Sequence, residues 1–170
     1  MTIESSSSGP NTIQRALKRL KNALIDTSSI IYIQKAGYFD VLSRTIQLYS
    51  IPEVISETKE KIPGVKLIHL SGSLSLSTDQ KLISCALLHK LAMISEDKSI
   101  LTAMRRAEAP YYNSLMMLNL LLLSQRIDDD SYRRYFNALR NIARYSETVW
   151  EFGRDIYTAI KLKMHSGTLL

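Results

Sequence analysis

Short apolar runs separated by longer amphipathic segments set the pattern of this chain. Ala23, Leu24 and Ile25 form a run of the kind that fills a central strand covered on both faces. Runs at 46–50, 65–70 and 91–94, with a brief one at 110–112, predict four more strands. Between them, residues 28–35 predict a helix closed by Gly37, after which Phe39, Val41 and Leu42 continue the apolar packing. Ser50-Ile51-Pro52-Glu53 and Ser77-Thr78-Asp79-Gln80 both carry the capping-box spacing that starts a helix. Leu82, Ile83, Ala86 and Leu87 give the second of these helices its buried stripe. Residues 98–106 predict a short helix, and residues 115–123 an apolar helix capped by Asn113 or Ser114. Two more helices are expected at 131–145 and 147–163. This alternation predicts a three-layer α/β/α domain with a mostly parallel central sheet and C-terminal helices.

Composition adjusts the outline at the ends. Residues 1–12, rich in Ser with Gly9 and Pro10, read as a disordered tail, and 13–21 as a basic segment with Leu17 and Leu20 at helical spacing. Residues 22–170 read as a single domain, with a core at about 22–125 and C-terminal helices at about 131–163. Residues 71–75 read as a polar, flexible loop. The mix of 45% apolar and 22% charged residues is that of a globular protein, and a net charge of +6 favours anionic partners such as nucleic acid. The one cysteine, Cys85, sits in an apolar run and reads as core, which fits a reducing compartment. The longest apolar stretch, 115–123 broken by Asn119, is far short of the roughly 20 residues a bilayer requires. No basic segment leads an apolar one at the N-terminus, so a cytoplasmic protein without a membrane partner is expected.

The chemistry concentrates in acids at element ends. Asp26 follows the first strand, Asp79 opens the helix started by Ser77, Asp97 follows the fourth strand, and Glu57 lies one turn into the helix after strand two. Asp26, Asp79 and Asp97 could each be an ordinary helix cap, and Glu57 a surface acid. In a parallel sheet, however, all four positions share one edge, the edge where open α/β sheets bind ligands. Four carboxylates gathered there repel one another unless a cation joins them, and a hard divalent metal prefers oxygen ligands. His69, His89 and His165 show no metal-ligand spacing, and no Gly-rich phosphate loop or serine elbow is present.

The ordered set Asp26-Thr27-Ser28-Ser29, Ile51-Pro52-Glu53-Val54-Ile55-Ser56-Glu57, Leu76-Ser77-Thr78-Asp79 and Met93-Ile94-Ser95-Glu96-Asp97-Lys98 resembles PIN-domain nucleases over about residues 22–125. The resemblance implies a PIN-like fold in which Asp26, Glu57, Asp79 and Asp97 surround Mg²⁺ or Mn²⁺, with Ser95 as a supporting hydroxyl. Glu96 is an acid beyond that pattern, and Asn113-Ser114 match only loosely the polar residues the family places after its last strand. The implied activity is metal-dependent endoribonucleolytic hydrolysis of RNA phosphodiesters, as in the toxin of a toxin–antitoxin pair or an RNA-processing enzyme. An antitoxin protein and a second copy of the chain are the implied protein partners. Arg105 and Arg106, with Arg133, Arg134 and Arg140, are candidates to guide the RNA backbone, and the C-terminal tyrosines to stack on bases or pack in the core. The alternative is a non-catalytic PIN-like domain that binds RNA or protein through its basic surface.

Overall fold

The computed structural model describes residues 9–72 and 75–167. Among the described residues, five strands form one all-parallel sheet in the order β3-β2-β1-β4-β5, with helices on both faces in a three-layer α/β/α arrangement. The strands are β1 (Asn22–Ile25), β2 (Gln47–Ser50), β3 (Val65–Leu67), β4 (Ala92–Ile94) and β5 (Tyr111–Tyr112). Ala23 pairs with Leu48 on one side and Ala92 on the other, so β1 is central and fully covered. The run Ala23, Leu24, Ile25 is accordingly buried throughout.

The chain leaves β1 towards β2 and β3, then returns to place β4 on the opposite side. Strand order therefore reverses at the β1/β4 pair. At such a switch point neighbouring crossovers part, opening a crevice beyond the carboxyl ends of the strands. Asp26 ends β1 there, and its N–H donates to the Ile94 carbonyl at 3.1 Å.

α2 (Thr27–Ala36) begins on Asp26 and ends on Gly37, whose φ of 96° is left-handed and natural only for glycine. Residues 39–42 form a separate helix, α3 (Phe39–Thr45), which buries Phe39 and Leu42. α4 (Pro52–Thr58) starts with Pro at its first position and Ile51 as its cap. The capping box expected at Ser50 and Glu53 is not formed. Ser50 is fully buried and donates its hydroxyl to the Ile25 carbonyl at 2.8 Å, while Glu53 is drawn to Lys81 at 2.5 Å. Tertiary partners, a buried carbonyl for Ser50 and a full charge for Glu53, replace the local bonds. The box at Ser77 and Gln80 does form, with reciprocal bonds of 3.2 and 3.0 Å at the start of α5 (Thr78–His89). Cys85 lies in the core on that helix.

α6 (Lys98–Arg106) follows β4, and α7 (Ser114–Leu123) follows β5 behind an Asn113 cap. Every residue of α7 is buried, as a helix apolar all round requires. α8 (Asp129–Ile142) and α9 (Glu147–His165) pack on it. Asn119, the polar break in α7, accepts from Tyr132 at 2.8 Å and donates to the Gly153 carbonyl at 3.3 Å, tying the three helices together. Asp129 joins α8 to α9 by accepting from Tyr157 at 2.6 Å and pairing with Lys161 at 3.2 Å. The Tyr157 bond, first among several, holds its carboxyl below the usual value of 3.8. The stability this clamp adds is therefore present above about pH 3.8 and is lost as pH falls through the lowered value. Asp129→Asn should lower the melting temperature by about 2–4 °C at neutral pH, for ~1 kcal/mol in a partly solvated site. The gap from wild type should close on acidification, and a gap that persists at low pH would refute the assignment.

The N-terminal expectation is corrected in part. Residues 1–8 of the expected tail lie outside the described residues, but 9–12 are not tail, because α1 (Pro10–Arg19) begins at Pro10. The proline presets the backbone of the first turn, and Ile13, Gln14 and Leu17 are buried against α7 and α9. Arg15, Lys18 and Arg19 remain on the exposed face. Gln14 is 2% exposed, and neither end of its amide has a hydrogen-bond partner. An unmatched buried amide costs stability, so Gln14→Met, of similar length and helix propensity, should raise the melting temperature by about 2–4 °C. Thermal unfolding of both proteins tests this; a fall would mean that the amide is satisfied in solution. Part of the 71–75 loop, residues 73 and 74, also lies outside the described residues.

Candidate functional site

The carboxyl ends of β1 and β4 bring the first two site residues into contact. Asp26 is 5% exposed, caps α2 by accepting from the Ser29 N–H at 2.8 Å, and accepts the Ser95 hydroxyl on its second oxygen. Ser95 is itself fully buried and receives the Asp97 N–H at 3.0 Å, so a short relay runs from Asp97 through Ser95 to Asp26. Burial pushes the Asp26 carboxyl above its ordinary value, against the Ser95 and Ser29 bonds that favour the anion.

Around this pair stand the exposed acids. Glu57 accepts the Thr27 hydroxyl at 2.6 Å, which links α4 to the first residue of α2. Asp97 caps α6, accepting the Ser99 N–H at 2.7 Å and its hydroxyl at 2.6 Å, and the hydroxyl bond above all lowers its carboxyl value. Asp79 lies in the first turn of α5, where Ser77 already does the capping. Desolvation first, then the charges of Asp97 and Glu57, raise the Asp79 carboxyl. Asp97 and Glu57 are thus near enough to Asp79 for their charges to act on it. The helix-cap reading holds for Asp26 and Asp97, whose side chains cap α2 and α6.

Among the described residues, no group of three or more His, Cys, Asp or Glu side chains is drawn together tightly enough to form a ready-made metal site. The donor set still fits a hard divalent cation. All candidate donors are carboxylate oxygens, and the Asp79 carboxyl, raised by desolvation first, is raised further by the two like charges of Asp97 and Glu57.

Glu96 carries more structure than its place in the sequence suggests. This half-buried acid accepts the Ser29 hydroxyl at 3.0 Å, the Ser114 N–H at 2.9 Å, and the hydroxyls of Ser114 and Tyr145. It thus fastens α2, α7 and the α8–α9 connection to the same sheet edge. Burial raises its carboxyl value, with the Asp26 charge a smaller contribution. Tyr145 and Tyr38 are pushed well above the ordinary phenol value, by burial first and then by the Glu96 charge, so both remain donors. Tyr38 donates to the Ser114 carbonyl at 2.8 Å.

The arginines divide. Arg133 pairs with Asp129 at 3.0 Å, Arg134 donates to Ser131 at 3.1 Å, and Arg140 reaches Glu147 at 3.5 Å while lying over the Trp150 ring at 5.3 Å. Arg106 is exposed at the end of α6. Arg105 lines a cleft of about 280 Å³ beside Glu96, together with Lys98 and Arg144, neither of which stands out in the sequence as a candidate. Most C-terminal aromatics pack on one another: Tyr132 stacks on Tyr157 at 4.7 Å and Phe136 meets Trp150 at 5.4 Å. A Ser-Glu-Asp triplet closing a strand was the one available signal for Glu96; nothing local marks Tyr145 or Arg144.

No helix among the described residues is long and apolar enough to cross a membrane. No protein-family model, curated protein or solved structure matches the chain.

Proposed function

We propose that this chain is a PIN-type, metal-dependent endoribonuclease. The observation that carries the reading is the buried Asp26 at the switch point of a parallel sheet, joined through Ser95 to Asp97 and flanked by Glu57, which is held on the adjoining Thr27. Asp26 and Asp79 would be the main ligands of Mg²⁺ or Mn²⁺, with Asp97 and Glu57 completing the set. Bound there, the ion supplies Lewis-acid stabilisation of the charge that develops during phosphodiester hydrolysis. The chain's own contribution is orientation. Ser95 and the α2 N-terminus hold the Asp26 carboxylate in one rotamer, Thr27 steers Glu57, and Ser99 holds Asp97. A net charge of +6 draws the RNA backbone to the surface. A toxin paired with an antitoxin and a processing enzyme would use the same site.

One observation favours a second reading, a non-catalytic RNA- or protein-binding module: Asp26 and Asp97 already serve as helix caps. Incubation of the protein with structured and single-stranded RNAs, with and without Mn²⁺ or Mg²⁺, separates the two. Cleavage that requires metal supports the nuclease. Salt-sensitive binding with no cleavage under any metal supports the module and removes the nuclease.

A further inference from the structure

The acids of the sheet edge sit on separate elements, and two of those elements have their main packing partners elsewhere. Glu57 is carried by α4, which packs on α2, and Asp79 by α5, which packs on α6 and β4. The Thr27 hydroxyl holds Glu57 to α2 at 2.6 Å, but that bond does not fix its distance from Asp79. Between α4 and α5 runs one side-chain bond among the described residues, from Lys81 Nζ to Glu53 Oε1 at 2.5 Å. Glu53 lies one turn before Glu57, about 6 Å along α4, and Lys81 two residues beyond Asp79, about 3 Å along α5. The only bond across this gap therefore stands beside the two acids that face each other over it.

Its role is geometric. The Lys81 side chain is 12% exposed and its ammonium is taken up by Glu53, whose carboxyl the bond holds below the ordinary value, so it is not presented to a substrate. Glu53 is 38% exposed, and pairs open to water on one side add little to stability. Lys81 is also not among the influences on the Asp79 carboxyl, which are desolvation, Asp97 and Glu57. The like charges of Glu57 and Asp79 push α4 and α5 apart when no ion is bound, and the opposite charges of Glu53 and Lys81 hold the helices against that push. We infer that Lys81 and Glu53 are positioning residues, a brace that fixes the separation of α4 and α5 and so the distance between Glu57 and Asp79 across which a divalent cation is held. The inference rests on the metal-site reading above and deepens it. A small hard cation tolerates little departure from its preferred geometry, and groups that position its ligands are worth about 10–100-fold in affinity.

The test is calorimetric titration of Mn²⁺ into the full chain and into Lys81→Met, Lys81→Arg, the double variant Glu53→Met/Lys81→Met, and Asp79→Asn. Thermal unfolding checks that each is folded. Asp79→Asn is expected to abolish the binding seen in wild type. Lys81→Met should weaken it about tenfold or more at a nearly unchanged melting temperature, the double variant about as much, and Lys81→Arg little, because arginine keeps the ion pair. Wild-type affinity in folded Lys81→Met overturns the brace while the metal site stands. Wild-type affinity in the double variant overturns it too, since the loss would then come from an unpaired Glu53, and so does an equal loss in Lys81→Arg, which would tie the effect to lysine itself. No binding in wild type, or binding that survives Asp79→Asn, removes the metal-site reading and the brace with it. The readout is equilibrium binding, so a protein that holds Mn²⁺ at this edge without cleaving RNA still decides the brace.

Discussion

Asp26→Asn is expected to lower metal-dependent RNA cleavage by about a hundredfold or more while the melting temperature stays level or rises. The amide has the same shape as the carboxyl, still accepts the Ser29 N–H and is as good a helix cap. It lacks the negative charge, and the nitrogen in place of the second oxygen donates to the Ser95 hydroxyl instead of accepting from it; loss of one preorganised electrostatic contact in a reacting site costs about 10²–10³ in rate. The charge itself is expensive in the fold, since burial raises the Asp26 carboxyl value, so removing it relieves a cost. Opposite movement of activity and stability separates a site residue from a mere cap. Initial rates with Mn²⁺ or Mg²⁺ and thermal unfolding of both proteins decide it, and cleavage that survives at wild-type rate would end the nuclease assignment for this edge.

Gly153→Ala should destabilise the protein by about 1–3 kcal/mol, although alanine is the better helix former by about 1 kcal/mol. Gly153 lies inside α9 where that helix meets α7. A Cβ there would fall 2.3 Å from Leu115 Cδ2 and 2.9 Å from its Cγ. Leu115 is fully buried and cannot swing into solvent, so α7 and α9 must part or the leucine must leave its rotamer. Separation would also stretch the 3.3 Å bond from Asn119 to the Gly153 carbonyl. Leu115→Ala alone should cost about 2–5 kcal/mol through the cavity it leaves. The double variant should cost clearly less than the sum, because the new methyl enters that cavity. Denaturant unfolding of the four proteins measures the coupling; strict additivity would mean that the two helices do not meet this closely.

The elements that were legible in the sequence are those whose information is local. Ala23-Leu24-Ile25 reads as a buried strand because it is too short for a helix and has no polar position, and the Ser77 box is found because Gln80 has no stronger partner than the Ser77 N–H. The Ser50 box failed for the opposite reason: Lys81 of a distant helix offered Glu53 a full charge. α3 was visible as apolar positions but not as a helix, since seven residues hold too little periodicity. α1 begins before the basic segment that the spacing marks, because Ile13 and Gln14 reveal a buried face only when α9 lies across them.

By itself, the sequence determined the alternation of strands and helices, the acids at their ends and the excess of positive charge, because each depends on residue type and spacing within a few turns. Tertiary structure alone decided that strand order reverses between β1 and β4, which sets Asp26 against Ser95 across 69 residues of chain. It alone made Glu96 a junction, with Ser29, Ser114 and Tyr145 arriving from three elements, and brought Lys98, Arg105 and Arg144 to one cleft. The physical reason is that burial and electrostatic field belong to the surroundings of a side chain. Those surroundings exist only once segments distant in sequence have packed.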